Sequence, residues 1–334
     1  MKAYVVKEYG KKETLHLTEV SEPNVQTHEV LVQIHAAGVN LLDCLVKNGE
    51  FKSSLPYKPP FIIGHDVAGT IVKVGSGVKL LKLGDEVYSR PRDLHIGTFA
   101  EYIAVHEDDV ALKPKNLSME EAASIPLVGL TAWQALIEMA NVKNGQKVFI
   151  QAGSGGVGSF AIQLAKHLGA TVATTTSGDN IEWVKRLGAD IVIDYKKEDF
   201  ATILKGYDVV LHSNRDPKIL DNSLRVLKPG GKLISLTGPA TPEFAEELGL
   251  PWYVQVVMYF LSLKVMRLAK KLQVLFSFLF MKANGSQLQE ITSLIEAGVI
   301  HPVIDKVFPF ASANEALAHV ERGRTKGKVV IKVI

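Results

Sequence analysis

Over residues 1–110 the apolar positions come in short runs: "AYVV", "EVLVQIHAAGV", "DVAGTIVKVG", "GDEVYS" and "FAEYIAV". The runs are rich in Val, Ile and aromatics and are separated by Gly, Pro or Asp, the pattern of β-strands joined by turns. "LKLGDEV" predicts a tight turn between two of them. The expected product is a compact antiparallel β-barrel. Near residue 118 the pattern changes to a helical one in "SMEEAASIPLVGLTAWQALIEMA", where Ser118 and Glu121 have the spacing of a capping box. From Lys147 onward the two patterns alternate. "KVFIQAG", "TVATTT", "IVIDY", "YDVVLHS" and "GKLISLT" predict strands, and "GSFAIQLAKHLGA", "NIEWVKRLGA" and "PKILDNSLRVLKPG" predict helices. Strands interleaved with helices predict a parallel, doubly wound sheet, so the fold class is α/β.

Residues 251–283 break this rhythm. The apolar runs "WYVQVVMYFLSL" and "LQVLFSFLFM" flank Lys264, Arg267, Lys270 and Lys271. Neither run reaches the roughly 20 apolar residues of a spanning helix. Two readings stay open. An amphipathic helix packs on the fold or on a partner subunit and is followed by a buried strand, or a basic amphipathic segment touches a membrane surface. The remaining tail returns to helix and short strands.

Length and composition narrow the picture. A chain of 334 residues suits two domains, and 47% hydrophobic with 22% charged residues is ordinary for a globular protein. A net charge of +3 gives no footprint for nucleic acid. "MKAYVVKEYG" lacks the apolar core of a secretory leader, so a cytoplasmic location is expected. The single cysteine, Cys44, excludes an intrachain disulfide and a four-cysteine structural zinc site. A catalytic zinc needs three protein ligands, and His65 in "FIIGHDVAGT" is one candidate in search of two others.

The strongest chemical signal is "KVFIQAGSGGVGSFAIQLAKHLGA". Gly153, Gly155 and Gly158 fit the Gly-x-Gly-x-x-Gly pattern directly after a β-rich run and at the opening of a helix, the context a dinucleotide requires. Gly153 permits the tight turn, Gly155 and Gly156 leave bare backbone for a pyrophosphate, and Gly158 lets helix and strand pack closely. Ser154 and Val157 complete the loop, and the helix N-terminus offers unpaired N–H groups. An NAD site usually carries an acidic residue at the end of the second strand. Thr175 stands there instead, with Ser177 close behind, and small hydroxyls admit a 2′-phosphate. The expected cofactor is therefore NADP(H), with Asp179 as the contrary charge nearby.

A β-rich N-terminal region, "GHDVAG", "GDEVY", "GLTAW", "AGSGGVG", "LGAD" and "GRTKGKVVIKV" together resemble the medium-chain dehydrogenase/reductases along essentially the whole chain. The chain is most similar to their zinc-independent quinone oxidoreductase branch, which includes the reticulon-interacting mitochondrial NADPH oxidoreductases and chloroplast-envelope quinone oxidoreductase-like proteins. The resemblance implies a GroES-like β-barrel catalytic domain at 1–124 and 284–334 and a Rossmann cofactor domain at 125–283. Zinc-dependent members of that family carry cysteine ligands where this chain has Asn40 and, near "GLTAW", Val128, so of their three ligands His65 alone remains and no metal is expected. Asp43, His35, Asp66 and His95 are the other side chains that could be asked to serve. His65 then reads as a hydrogen-bonding residue or as a packed histidine.

The resemblance also implies roles. Asn40 donates to an acceptor oxygen or fixes the nicotinamide, unless it is only a turn residue. Asp43 orders the Asn40 loop, and Thr131 lies near the nicotinamide, unless it only bonds its own helix. Tyr57 is a further proton-donor candidate. Tyr195 stands beside the adenosine end, Thr237 and Gly238 approach the nicotinamide, and Lys328 lies near the cofactor or at the surface. The implied activity is hydride transfer from NADPH to a small electrophile, a quinone or an α,β-unsaturated carbonyl. A zinc-dependent alcohol dehydrogenase and an NADPH-binding, membrane-associated interaction protein are the alternatives. A homodimer is the commonest closed assembly. The loops 47–60 and 240–283 are expected to set the size of the substrate pocket.

Overall fold

A computed structural model describes residues 1–52, 55–247 and 249–334. Positions 53, 54 and 248 lie outside the described residues, and the segment 240–283, expected as a loop, instead carries the helix Trp252–Leu272 and the strand Leu275–Phe278. The chain divides into two compact units, Met1–Leu130 with Lys282–Ile334, and Thr131–Met281. The division falls within the helix Pro126–Trp133.

The first unit is mainly antiparallel sheet. One seven-stranded sheet follows a path of six strands, Ile304–Pro309, Lys328–Lys332, Glu29–Val39, Asp66–Val74, Glu86–Ser89 and Val110–Leu112, with Tyr102–His106 paired off this path to Glu29–Val39. A three-stranded sheet joins His16–Glu19, Lys2–Val6 and Phe61–Ile62. One pair departs from the antiparallel expectation: Ile304–Pro309 lies parallel to Lys328–Lys332, because the helix Ala313–Glu321 carries the chain back between them. The core gathers Val30, Val32, Ile34, Val67, Ile71, Val87, Ile103 and Val105. Glu29–Val39 is buried along nearly its whole length, so its sequence reads as an almost unbroken apolar run.

The second unit is a six-stranded, wholly parallel sheet in the order Ile191–Asp194, Thr171–Thr176, Lys147–Ile150, Tyr207–His212, Leu227–Ser235, Leu275–Phe278. Strand order reverses at Lys147–Ile150, and such a switch point opens a ligand crevice at the carboxyl ends of the strands. The run expected to be a buried strand, "LFSFLFM", supplies the edge strand Leu275–Phe278; Phe276 is buried and Leu275 is exposed. The preceding helix Trp252–Leu272 docks through Val265, Leu268, Ala269 and Leu272 on the core that holds Phe149, Val210 and Leu233. Among the described residues no helix is long and apolar enough to cross a membrane.

Candidate active site

Strand order in the first unit brings three distant residues to one end of the sheet. Asn40 follows the last residue of Glu29–Val39, Asp66 opens the antiparallel neighbour Asp66–Val74, and Lys328 opens Lys328–Lys332 on the other side. Gly38 faces Asp66 in the register, and a Cβ there would stand 2.3 Å from the Ala123 carbonyl oxygen. Glycine is therefore what lets the helix Met119–Ala123 close over this end. That helix has the expected cap, with Glu121 N bound to Ser118 Oγ and Ser118 N to Glu121 Oε2.

Asp66 is the hub. Its Oδ2 accepts from Asn40 Nδ2 and from Lys328 Nζ, each at 2.9 Å, and its Oδ1 accepts from Leu127 N at 2.7 Å. Leu127 lies in the first turn of a helix, whose N–H groups lack intrahelical partners and favour a carboxylate. Lys328 Nζ also donates to Asn40 Oδ1. Asn40 is thus gripped on both sides of its amide, and one N–H remains to be offered. Its backbone N donates to Asp43 Oδ2 at 2.7 Å, which places Asn40 as N-cap of Leu41–Lys47. Asp43 Oδ1 in turn lies 2.6 Å from His65 Nδ1. Gly64, at φ +113°, turns the chain so that His65 points inward, and a Cβ there would meet Thr98 Oγ1 at 2.3 Å.

All five side chains are buried. Burying a Lys–Asp pair costs desolvation that mutual attraction seldom repays with much to spare, so such a pair is weak as a stabilising device and is a candidate functional site. His65 Nε2 is buried and meets no hydrogen-bond partner among the described residues. Unpaired buried polar atoms are uncommon.

The second unit builds a site mostly from backbone. After Lys147–Ile150 the chain turns through Ala152, held at φ +52°, and Gly155 becomes the N-cap of the helix Gly156–His167 with no side-chain cap. A Cβ on Gly153 would stand 2.2 Å from Thr174 Oγ1, and one on Gly158 would stand 2.2 Å from the Ala152 carbonyl oxygen. Both glycines are therefore packing requirements. Gly155 differs, because a Cβ there would meet nothing nearer than 3.4 Å. The space above it, with the uncapped helix start of Gly156, Val157 and Gly158, is free for an anionic group, and the residues fit a dinucleotide pyrophosphate.

Thr175 and Ser177 are each committed as acceptors. Thr175 Oγ1 takes the N–H of Ala152 at 3.3 Å and Ser177 Oγ takes Asn180 Nδ2 at 3.0 Å. Each hydroxyl keeps its proton to donate. Thr237 Oγ1 donates to the Asn214 carbonyl at 2.8 Å, which ties together the carboxyl ends of two neighbouring strands, and Gly238 N donates to Ser235 Oγ at 2.8 Å, which tightens the end of one of them. His212, at the end of one of them, is buried with neither ring nitrogen in a well-formed side-chain hydrogen bond among the described residues, and burial, opposed by the Asn214 backbone, pushes its pKa from 6.5 down to about 4.

The geometry can be set beside known proteins. The model for the alcohol dehydrogenase GroES-like domain matches residues 26–115 and the model for zinc-binding dehydrogenase matches residues 187–331. The 2-methylene-furan-3-one reductase of Solanum lycopersicum is 39% identical over 100% of this chain and 79% of its own length. The chloroplastic NADPH-dependent alkenal/one oxidoreductase of Arabidopsis thaliana is 37% identical over 99% of this chain and 79% of its own. The chain belongs to the medium-chain dehydrogenase/reductase family. Among solved structures, the quinone oxidoreductase from Coxiella burnetii has a TM-score of 0.85 and 30% identity, covering 100% of this chain and 99% of that one. The fold is the one expected from the sequence, a GroES-like domain with a Rossmann parallel sheet.

In this medium-chain dehydrogenase/reductase the residues singled out from sequence fall into two groups. Asn40, Asp43, His65 and Lys328 are joined in one network of the first unit. Lys328, expected beside the cofactor, is committed through Nζ to Asn40 and Asp66. The glycine loop, Thr175, Ser177, Tyr195, Thr237 and Gly238 belong to the second unit, as does Thr131, buried on the helix Pro126–Trp133. Tyr57 is buried; its hydroxyl accepts from Leu94 N at 3.1 Å and burial pushes its pKa up to about 12.

Asp66 was named from sequence only as a stand-in metal ligand; the signal that could have found its hub role is its place directly after the Gly64–His65 turn. Lys196 and Lys197 were missed as cations near the second strand. Thr176 pairs in register with Asp194, so the exposed Tyr195, Lys196 and Lys197 follow the neighbouring strand at the same sheet edge. Among the described residues no group of three or more His, Cys, Asp and Glu is placed to hold a metal ion.

Proposed function

We propose that this chain is an NADPH-dependent, zinc-independent reductase of small α,β-unsaturated carbonyls and quinones. The observation that carries the reading is the buried Lys328–Asn40–Asp66 cluster, which holds an amide donor under a fixed positive charge. The names of the relatives, an alkenal/one oxidoreductase and a furanone reductase, support the substrate class and the cofactor.

The donors present do not suit a zinc ion. Asn40 is a neutral amide already bound on both sides, Val128 is apolar, and Asp66 is taken by Lys328. His35 Nε2 pairs with Thr70 Oγ1 at 3.2 Å, and His95 is exposed.

NADPH, once bound, supplies the hydride. The glycine loop and the start of Gly156–His167 hold its pyrophosphate, and Thr175, Ser177, Lys196 and Lys197 are the groups that meet a 2′-phosphate. When hydride adds to the β-carbon of an enone, the electron pair moves to the carbonyl oxygen, and a proton from solvent completes the saturated product at the α-carbon. The remaining N–H of Asn40 donates to that oxygen as charge develops. An oriented donor of this kind contributes more in the transition state than in the ground state. Lys328 withdraws density from Asn40 Oδ1 and so strengthens the N–H as a donor. Asp66 fixes the amide plane, and the His65–Asp43 pair fixes the backbone N of Asn40.

Stoichiometric NADPH consumption with a 2-alkenal or menadione tests the reading. Asn40→Ala is expected to bind NADPH with unchanged affinity and to lose about 10²–10³ in kcat. A protein that binds no nicotinamide cofactor, or an Asn40→Ala variant with undiminished turnover, would sink it.

A further inference from the structure

The helix Trp252–Leu272 has two unlike faces. Its inner face, Ser262, Val265 and Ala269, is buried on the second unit. Its outer face presents a seam that recurs every three or four residues, the spacing of one helical stripe. The seam is Tyr253, Val257, Phe260, Lys264, Arg267 and Lys271, and all six are exposed. It is apolar and aromatic over its first half and wholly basic over its second. Trp252 at 74%, Phe260 at 67% and Leu261 at 67% exposure make the first half unusual for a water-facing helix. The helix contains no Asp or Glu. Asp221 takes Lys264 at 3.0 Å. Arg267, Lys270 and Lys271 have no acidic partner among the described residues.

We propose that this face lies on the surface of an anionic lipid bilayer, parallel to its plane. Charge complementarity decides the occupant. A second copy of the helix laid on the same seam in parallel would set Lys264, Arg267 and Lys271 against themselves. Laid antiparallel, it would bury those cations against Tyr253, Val257 and Phe260. A bilayer surface meets both halves together: Trp252, Tyr253 and Phe260 enter the headgroup boundary, where amphipathic rings are favoured, and the cations meet anionic headgroups. The helix lies on the membrane and does not span it, as its hydropathy requires.

The test is co-sedimentation of the full chain with vesicles of phosphatidylcholine alone and of phosphatidylcholine mixed with phosphatidylglycerol. The chain is expected to pellet with the mixed vesicles at low salt and to be largely released at high salt, as screening removes the surface attraction. Each cation near the surface contributes about fivefold in partitioning, so the triple variant Arg267→Gln, Lys270→Gln, Lys271→Gln is expected to bind about a hundredfold more weakly. Trp252→Ser with Phe260→Ser is expected to lose at least tenfold at every salt concentration. Both variants change exposed side chains, and unchanged melting temperature and NADPH turnover report that they are folded. Absence of binding to the mixed vesicles, equal binding to both vesicle types, or a dimer that the seam variants dissociate in free solution would each overturn the assignment. The outcome is independent of whether the chain reduces an enone, because the readout needs no substrate.

Discussion

The polar cluster of the first unit and the glycine turn of the second are the two proposed sites, built by opposite means. At Asn40, Asp66 and Lys328 the side chains carry everything, and their partners come from strands far apart in sequence. At Gly153–Gly158 four of the six residues lack side chains, and backbone N–H groups and space are what the turn offers a ligand. The first kind of site fails when a partner is taken away, the second when an atom is added. A buried charge left alone costs desolvation, and a carbon placed 2.2 Å from a carbonyl oxygen forces the backbone apart.

The largest effect expected from breaking this comparison is at Lys328. Lys328→Met leaves Asp66 buried without its cation and should destabilise the protein by about 3–5 kcal/mol in denaturant unfolding. Adding Asp66→Asn should recover most of that loss while enone turnover stays low, which separates the energetic role of the pair from its chemical one. Next comes His212, a buried ring of the second unit whose burial outweighs the Asn214 backbone beside it. Its folded pKa, about 4, lies below the ordinary 6.5, so the stability tied to its neutral form is complete above pH 6.5 and is lost as pH falls toward 4. Relative to His212→Leu, the wild type should lose about 3 kcal/mol across that window, read as a steeper fall of melting temperature with acid. A flat difference between the two would mean that the ring is solvated.

Smaller effects sharpen the contrast within the glycine turn. Gly158→Ala should cost about 1–3 kcal/mol of stability, as overpacking does, whereas Gly155→Ala should fold normally and lose NADPH affinity in a fluorescence titration. If Gly155→Ala bound NADPH unchanged, the space above it would not be the phosphate site. The smallest effect expected is in cofactor choice. Lys196→Ala with Lys197→Ala should reduce the preference for NADPH over NADH about tenfold in kcat/KM, a loss of roughly 1.4 kcal/mol from a solvent-screened contact.

The two sites were unequally legible in the sequence. The glycine turn writes itself locally, because strand, loop and helix are contiguous, with Gly153 and Gly158 answering close contacts and Gly155 leaving space. The alternation of strand and helix from Lys147 likewise marked the parallel sheet. The cluster could not be read that way. Asn40, Asp43 and His65 were singled out, but the bond of Lys328 to Asn40 depends on which strands become neighbours, and the pairing of Lys328–Lys332 with Glu29–Val39 is a product of tertiary packing. The same reason hid Lys196 and Lys197. They follow a different strand from Thr175, and the parallel register brings the two strand ends together. The edge position of Leu275–Phe278 was missed because an apolar run does not say whether a sheet continues beyond it.

The central claim is that acceptor polarisation comes from the Lys328–Asn40–Asp66 cluster and not from a bound metal. It is tested most directly by measuring NADPH-dependent reduction of a 2-alkenal before and after stripping the protein with a strong chelator, with elemental analysis of the same samples. The account predicts equal turnover in both samples and less than a stoichiometric amount of any transition metal in the untreated one. Turnover that disappears on stripping and returns with added zinc would contradict it.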